Sequence, residues 1–325
     1  MNILRRFRLA SPRQLRALGI LGMNRRNAEF VLPGNPRAHY PRVDDKLQTK
    51  RLCETHGIPV PTTYGVVRRQ ADVSGFAGLV ADHRDFVIKP ARGAEGRGIV
   101  VVAEHDGAAF TTSAGETLAA SDVRYHLANT LSGLYSLEGL PDRAIVEQRI
   151  VRHEAFAAIA VGGTPDIRII LYRRVPAMAM VRLPTVASRG RANLHQGAVA
   201  AGVHLRTGET FGGVCHDRAV AAHPDTGAPV AGVRVPAWHA LLTAAMTLAD
   251  VLAMDYIGVD FVLDARSGPV VLEANARPGL AIQIANRRGL LPRLRAIEAA
   301  GAGTLSVDQR LAIVAALPGL DDEGV

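Results

Sequence analysis

Apolar positions recur with helical spacing over residues 44–56, where Leu47, Leu52 and Cys53 face inward, and Gly57 with the extended Ile58-Pro59-Val60-Pro61 ends the pattern. Phe86-Val87-Ile88-Lys89 and Ile99-Val100-Val101-Val102 are apolar runs of strand length. A helix is predicted over 121–135 and a strand over 144–147. Residues 166–172 and 177–182 read as paired strands across Arg174-Val175-Pro176, followed by a turn-rich insertion over 206–236. An amphipathic helix is predicted over 237–252, then a hairpin of strands 256–263 and 270–275 turning through 264–269. Ser11-Pro12 opens a helix near the start of the chain, and Ser306 with Gln309 three residues on forms a capping box for a last one. No internal repeat is present. Blocks of helix and antiparallel strand predict an α+β fold.

With 325 residues, 48% of them apolar, the chain can bury two or three cores, which excludes a disordered protein. No window reaches ~18 uninterrupted apolar residues, so no membrane helix is predicted. Arginines interrupt the N-terminus where a secretory signal would be apolar, and two cysteines, Cys53 and Cys215, suit a reducing cytoplasm. The net charge of +8 is local: residues 1–28 hold seven arginines and no acid. The basicity thus predicts no specific nucleic-acid partner for the globular body. The arm itself reads as a solvated face or as a weak contact with an anionic surface. Only three of the 38 basic residues are lysine, namely Lys46, Lys50 and Lys89. In so arginine-biased a sequence, a retained lysine marks a site needing a compact ammonium.

Three groups of residues carry candidate chemistry. Gly93, Gly96 and Gly98 form a G-x-x-G-x-G loop between two strands, with Lys89 at its entrance. Such a loop is either an ordinary hairpin tip or a lid whose backbone N–H groups cover a polyphosphate. Asp260 interrupts an apolar strand, and Glu273 and Asn275 lie two apart on the next, so one strand face can gather three oxygen ligands for Mg²⁺. Otherwise they form a polar cluster at a sheet edge. Arg168, Arg182 and Asn193 are candidates to contact a transferred phosphate or a carboxylate. The spacing of His195, His204, His216 and His223 fits no metal-ligand pattern.

Taken in order, Asp45-Lys46, Phe86-Val87-Ile88-Lys89-Pro90, the Gly93–Gly98 loop, Val146-Glu147-Gln148-Arg149-Ile150, Asp166-Ile167-Arg168, Asn193-Leu194-His195-Gln196-Gly197, Gly258-Val259-Asp260 and Glu273-Ala274-Asn275 resemble the ATP-grasp superfamily. The pattern is most similar to its RimK-like branch, to proteins related to alpha-L-glutamate ligases and to sugar-transfer-associated relatives. The resemblance implies two α+β subdomains gripping ATP. Lys46 and Lys89 would meet its phosphates under Gly93, Gly96 and Gly98, and the backbone of Glu147, Gln148, Arg149 and Ile150 would hold adenine, with Glu154 at the ribose. Asp260, Glu273 and Asn275 would hold two Mg²⁺ or Mn²⁺ ions, and Arg168, Arg182 and Asn193 would serve catalysis.

The implied activity is ATP-dependent carboxylate–amine ligation through an acyl phosphate, with an amino acid such as L-glutamate joined to an amine-bearing acceptor. The implied alternative is a nucleotide-binding regulatory protein without turnover. The expected divisions are a basic arm and helix (1–45), a small subdomain (46–146), a large subdomain (147–302) and a C-terminal helix and tail (303–325), in a cytoplasmic protein that admits a homo-oligomer. Three departures stand out: a short arm and helix of about 45 residues before Lys46 where most ATP-grasp ligases carry a whole domain, the 206–236 insertion, and Arg277 where the RimK-like branch carries a small residue near its substrate.

Overall fold

The computed structural model describes residues 11–93, 96–136, 139–301 and 305–319. Residues β1 (Thr63–Val67), β2 (Phe86–Pro90), β3 (Val100–His105), β4 (Ala109–Thr112), β5 (Thr117–Ala119) and β6 (Ala144–Glu147) form one sheet, ordered β1-β6-β2-β3-β4-β5. A second sheet contains β7 (Asp166–Tyr172), β8 (Val175–Leu183), β9 (Val199–Val203), β10 (Thr210–Cys215), β11 (Arg218–Ala219), β12 (Tyr256–Asp264) and β13 (Gly268–Asn275). Its order is β11-β10-β9-β8-β7-β12-β13. Neighbouring strands are antiparallel, and helices pack on both sheets, so the class is α+β.

Each sheet has its own core. In the first lobe Val123 and Leu127 of helix Ala120–Leu131 pack with Phe76, Phe86 and Phe110. The Phe76 and Phe86 rings meet edge-on with centroids 5.8 Å apart. In the second lobe helix Trp238–Leu252 buries Leu241, Leu242, Ala245, Leu248, Ala249 and Leu252, the helical spacing that predicted it.

Several predicted elements differ in detail. Helix Lys46–Thr55 starts two residues later than expected, because the Asp45 carboxylate caps it by accepting from Leu47 N–H at 3.0 Å. The predicted 121–135 helix stops at Leu131, where Gly133 turns the chain with φ +89°. The β7–β8 turn consists of Arg173 and Arg174, both at positive φ, rather than Arg174-Val175-Pro176. Pro176 lies inside β8 at an irregularity in the ladder, which accommodates its missing N–H. The 206–236 insertion is not all turn, since it supplies β10 and β11 to the sheet edge.

Residues 20–45 pack on the second sheet. Phe30 is buried edge-on against Tyr172, ring centroids 5.2 Å apart. The Asn35 side chain donates to the Tyr256 and Ala276 carbonyls and accepts from Tyr256 N–H. Gln283 similarly accepts from Leu21 N–H at 2.8 Å and donates to its carbonyl. Arg5, Arg6 and Arg8 of the basic arm lie outside the described residues, as do Ala94 and Glu95 of the glycine loop.

Candidate functional site

Antiparallel register assembles the polar face of the second sheet. Asp260 on β12 lies directly opposite Arg168 on β7 and opposite Glu273 on β13, so the three form one row across three strands. Asn275 is two residues along β13 on the same face. Arg168 grips Asp260 with two bonds, Nε to Oδ1 at 2.7 Å and Nη2 to Oδ2 at 2.5 Å. Arg182 on β8 donates to Asp260 Oδ2 at 2.9 Å and to Asp166 Oδ1 at 2.5 Å.

Two arginines and two carboxylates make this buried network neutral as a set, which limits its desolvation cost. Burial alone would raise the Asp260 carboxyl, but Arg168 and Arg182 outweigh it and hold the group below the usual carboxylate range. Asp166 goes the other way: burial and the nearby Asp260 charge raise it against the pull of Arg182.

The first lobe brings a second charged group to its inner end. Glu147, the last residue of β6, is buried between two ammonium groups. Lys89 Nζ lies 2.5 Å from Oε1, and Lys50 Nζ lies 2.5 Å from Oε2. Lys50 also donates to the Pro61 carbonyl at 2.6 Å. Burial favours the neutral acid, but the two lysines outweigh it and keep Glu147 below its ordinary pKa. Burial is the largest influence on Lys50 and lowers its pKa. Two cations on one anion leave the group with a net positive charge.

Lys46 joins the lobes. It begins helix Lys46–Thr55, and its N–H is held by the Ala91 carbonyl at 2.9 Å. Its Nζ donates to the Gly93 carbonyl at 2.5 Å and lies 3.6 Å from Glu273 Oε2. The entrance of the glycine loop, the first lysine and an acid of the second sheet are therefore neighbours. Gly98, at φ +72°, packs on Tyr135, where an added Cβ would fall 2.5 Å from the ring. Gly96 has a similar φ of +71° but faces open space.

The remaining expected residues stand apart from these contacts. Gln148 N–H donates to the Thr62 carbonyl at 2.8 Å, and Arg149 Nε to Asp85 at 2.9 Å. The backbone N–H groups of Arg149 and Ile150 form no hydrogen bond among the described residues. The exposed Glu154 starts the short turn Glu154–Ile159 and meets none of the other expected residues. Asn193 caps the turn Leu194–Gln196 by accepting from His195 N–H at 3.0 Å, and forms no hydrogen bond with Arg168 or Arg182.

Spacing alone assigns no role to Lys50 or Asp166, which the structure places in these two networks. Lys50 carried a signal, being one of three lysines and one helical turn after Lys46.

Metal-binding capacity is uneven across the expected trio. Glu273 has a partly open side chain whose Oε1 accepts from Asn275 Nδ2 at 3.3 Å, so both offer oxygens at the cleft. Asp260 has given three acceptor sites to guanidinium groups and retains one lone-pair direction on Oδ1. Among the described residues no three His, Cys, Asp or Glu side chains gather as a ready-made metal site. A cation here therefore needs oxygens from a bound phosphate as well, as Mg²⁺ commonly does.

The sequence matches the sugar-transfer-associated ATP-grasp family over residues 25–299. The chain belongs to that family. No curated protein matches it. Among solved structures it is similar to D-cycloserine synthetase DcsG, at 16% identity and a TM-score of 0.46, over 81% of this chain and 72% of that one. It is similar to D-alanine–D-alanine ligase from Bacillus anthracis at 15% identity and a TM-score of 0.44, over 90% of this chain and 72% of that one. With Rhizobium etli pyruvate carboxylase the identity is 14% and the TM-score 0.50, over 90% of this chain but 20% of the other. At such identities the last likeness is one of fold alone, and the ATP-grasp assignment is that of the family match. The match is to the sugar-transfer-associated relatives that the sequence pattern resembles. No helix among the described residues is long and apolar enough to cross a membrane.

Proposed function

We propose that this ATP-grasp protein is an ATP-dependent carboxylate–amine ligase. The observation that carries the reading is Lys46, whose ammonium reaches the glycine-loop carbonyl of Gly93 and the Glu273 carboxylate of the opposite lobe. A triphosphate entering between them would meet Lys46, the excess positive charge of Lys89, Glu147 and Lys50, and the N–H groups of the loop. The unpaired N–H groups of Arg149 and Ile150 are available to a purine at the inner end of the cleft.

Glu273 and Asn275, with the free lone pair of Asp260, would hold the divalent ions, whose contribution is to spread charge over the transferring phosphoryl group. Arg168 stands beside the same row and is held rigidly by Asp260, so its guanidinium is preorganised for charge that develops during transfer. Attack of a substrate carboxylate on the γ-phosphorus expels ADP and forms an acyl phosphate. An amine then displaces phosphate, forms the amide and releases a proton. Such chemistry needs positioning and charge rather than a protein nucleophile, and a closed loop protects the acyl phosphate from water. L-glutamate is the proposed acid, as the RimK-like resemblance implies.

The test is phosphate and ADP release with Mg²⁺ across the amino acids, each paired with an amine acceptor, with products read by mass spectrometry. Release that requires both acid and amine supports ligation. Nucleotide binding with no release under any pairing would instead support the regulatory reading.

A further inference from the structure

Arg26 is 6% exposed, yet its guanidinium meets only neutral acceptors. Nε donates to Asn27 Oδ1 at 2.9 Å and Nη1 to the Pro278 carbonyl at 2.6 Å. No carboxylate among the described residues pairs with it. A buried cation without a counter-ion is costly, so the position asks for an anion. Its surroundings add to the imbalance. Burial lowers the Arg26 pKa, while Tyr256 and Tyr40 act to raise it and the nearby Arg277 charge acts to lower it.

Arg277 is exposed and has no acidic partner among the described residues, its guanidinium lying 5.1 Å from the Tyr40 ring centroid. The loop that carries it runs beside the catalytic row, because a Cβ built on Gly279 would stand 3.9 Å from Arg168 Nη1. Arg26 thus anchors, through Pro278, a loop with one uncompensated cation at its start and Arg168 at its end. Guanidinium groups favour carboxylate and phosphate, whose paired oxygens match their donors.

We propose that Arg26 and Arg277, steadied by Tyr40, receive an anionic group, carboxylate or phosphate, on the co-substrate and so place it beside Arg168. The word co-substrate rests on the ligase reading; the anion site does not. The nucleotide's expected contacts come from Lys46, Lys89 and the glycine loop, whereas Arg277 lies just beyond Asn275 at the C-terminal end of β13, and Arg26 and Tyr40 come from the N-terminal stretch. The N-terminal stretch that packs on the second sheet would therefore help select the substrate.

The test titrates the full chain by calorimetry with glutarate and, separately, with inorganic phosphate, and measures binding of a fluorescent ADP analogue in parallel. The expected result is binding of at least one anion, weakened tenfold or more by Arg277→Ala, with the ADP analogue bound as before. Arg37→Ala, an exposed arginine on the same stretch, is expected to change neither. Glutarate binding alone identifies a carboxylate group and phosphate binding alone a phosphate ester. Because Arg277 is exposed, its variant keeps the test valid even if the buried Arg26→Gln fails to fold. Absence of anion binding by the wild type overturns the proposal. So does unchanged affinity in Arg277→Ala, or an equal loss of the ADP analogue, which would put the anion in the nucleotide site. Failure of the wild type to bind the ADP analogue would count against the ligase reading and leave the anion titration to stand on its own.

Discussion

Glu147 shows how one residue can hold several elements in register. Its carboxylate pairs β6 with Lys89 on β2 and with Lys50 on helix Lys46–Thr55. Glu147→Gln would leave two buried ammonium groups without their anion, at an expected cost of about 3–5 kcal/mol in urea unfolding. The acid sensitivity has a definite sign. The folded pKa is depressed, so this contribution is complete above the unfolded value of about 4.3 and is lost as pH falls through the folded value. Wild-type stability should therefore fall more steeply on acidification than that of Glu147→Gln. At the cleft, Glu273→Ala and Lys89→Ala are each expected to abolish ADP release. Cys53→Ala should leave it intact, because burial pushes that thiol up to about 12 and excludes a thiolate role.

At the scale of elements, the β2–β3 connection carries the clearest prediction. Gly96 and Gly98 share a left-handed backbone, but only Gly98 is in close contact, against Tyr135. Gly96→Ala should cost about 1 kcal/mol from backbone strain alone. Gly98→Ala adds a clash with a ring that must move, so it should lower the melting temperature further and weaken binding of the ADP analogue. Equal effects of the two variants would show that Tyr135 yields without disturbing the loop.

For the whole molecule, the N-terminal stretch acts as part of the second lobe while supplying Lys46 to the cleft between lobes. Phe30 joins Tyr172 and Tyr256 in the core of that lobe, and Asn35 ties the same stretch to the chain at Tyr256 and Ala276. Phe30→Ala is expected to cost about 3–5 kcal/mol in denaturant unfolding. Its effect should appear in the unfolding of the second lobe, which contains Trp238 and can be followed by tryptophan fluorescence.

Local order determined much of what was legible in the sequence. The cap at Ser306, helix Trp238–Leu252, β6 and the β12–β13 hairpin each follow from short-range spacings along the chain, so the α+β class was readable. The period of a strand likewise put Glu273 and Asn275 on one face. β9 was not readable, because Val199-Ala200-Ala201-Gly202-Val203 is buried on both faces and shows no alternation. Lysine scarcity pointed to the cleft, but not to Lys50 and Lys89 sharing Glu147. Nor did spacing show that Asp260 is engaged by two arginines, or that Arg26 is buried with no acid paired to it among the described residues. Those facts depend on which distant strands become neighbours and in what register. Electrostatic pairing acts through space rather than along the chain, so only the assembled sheets decide which charge meets which.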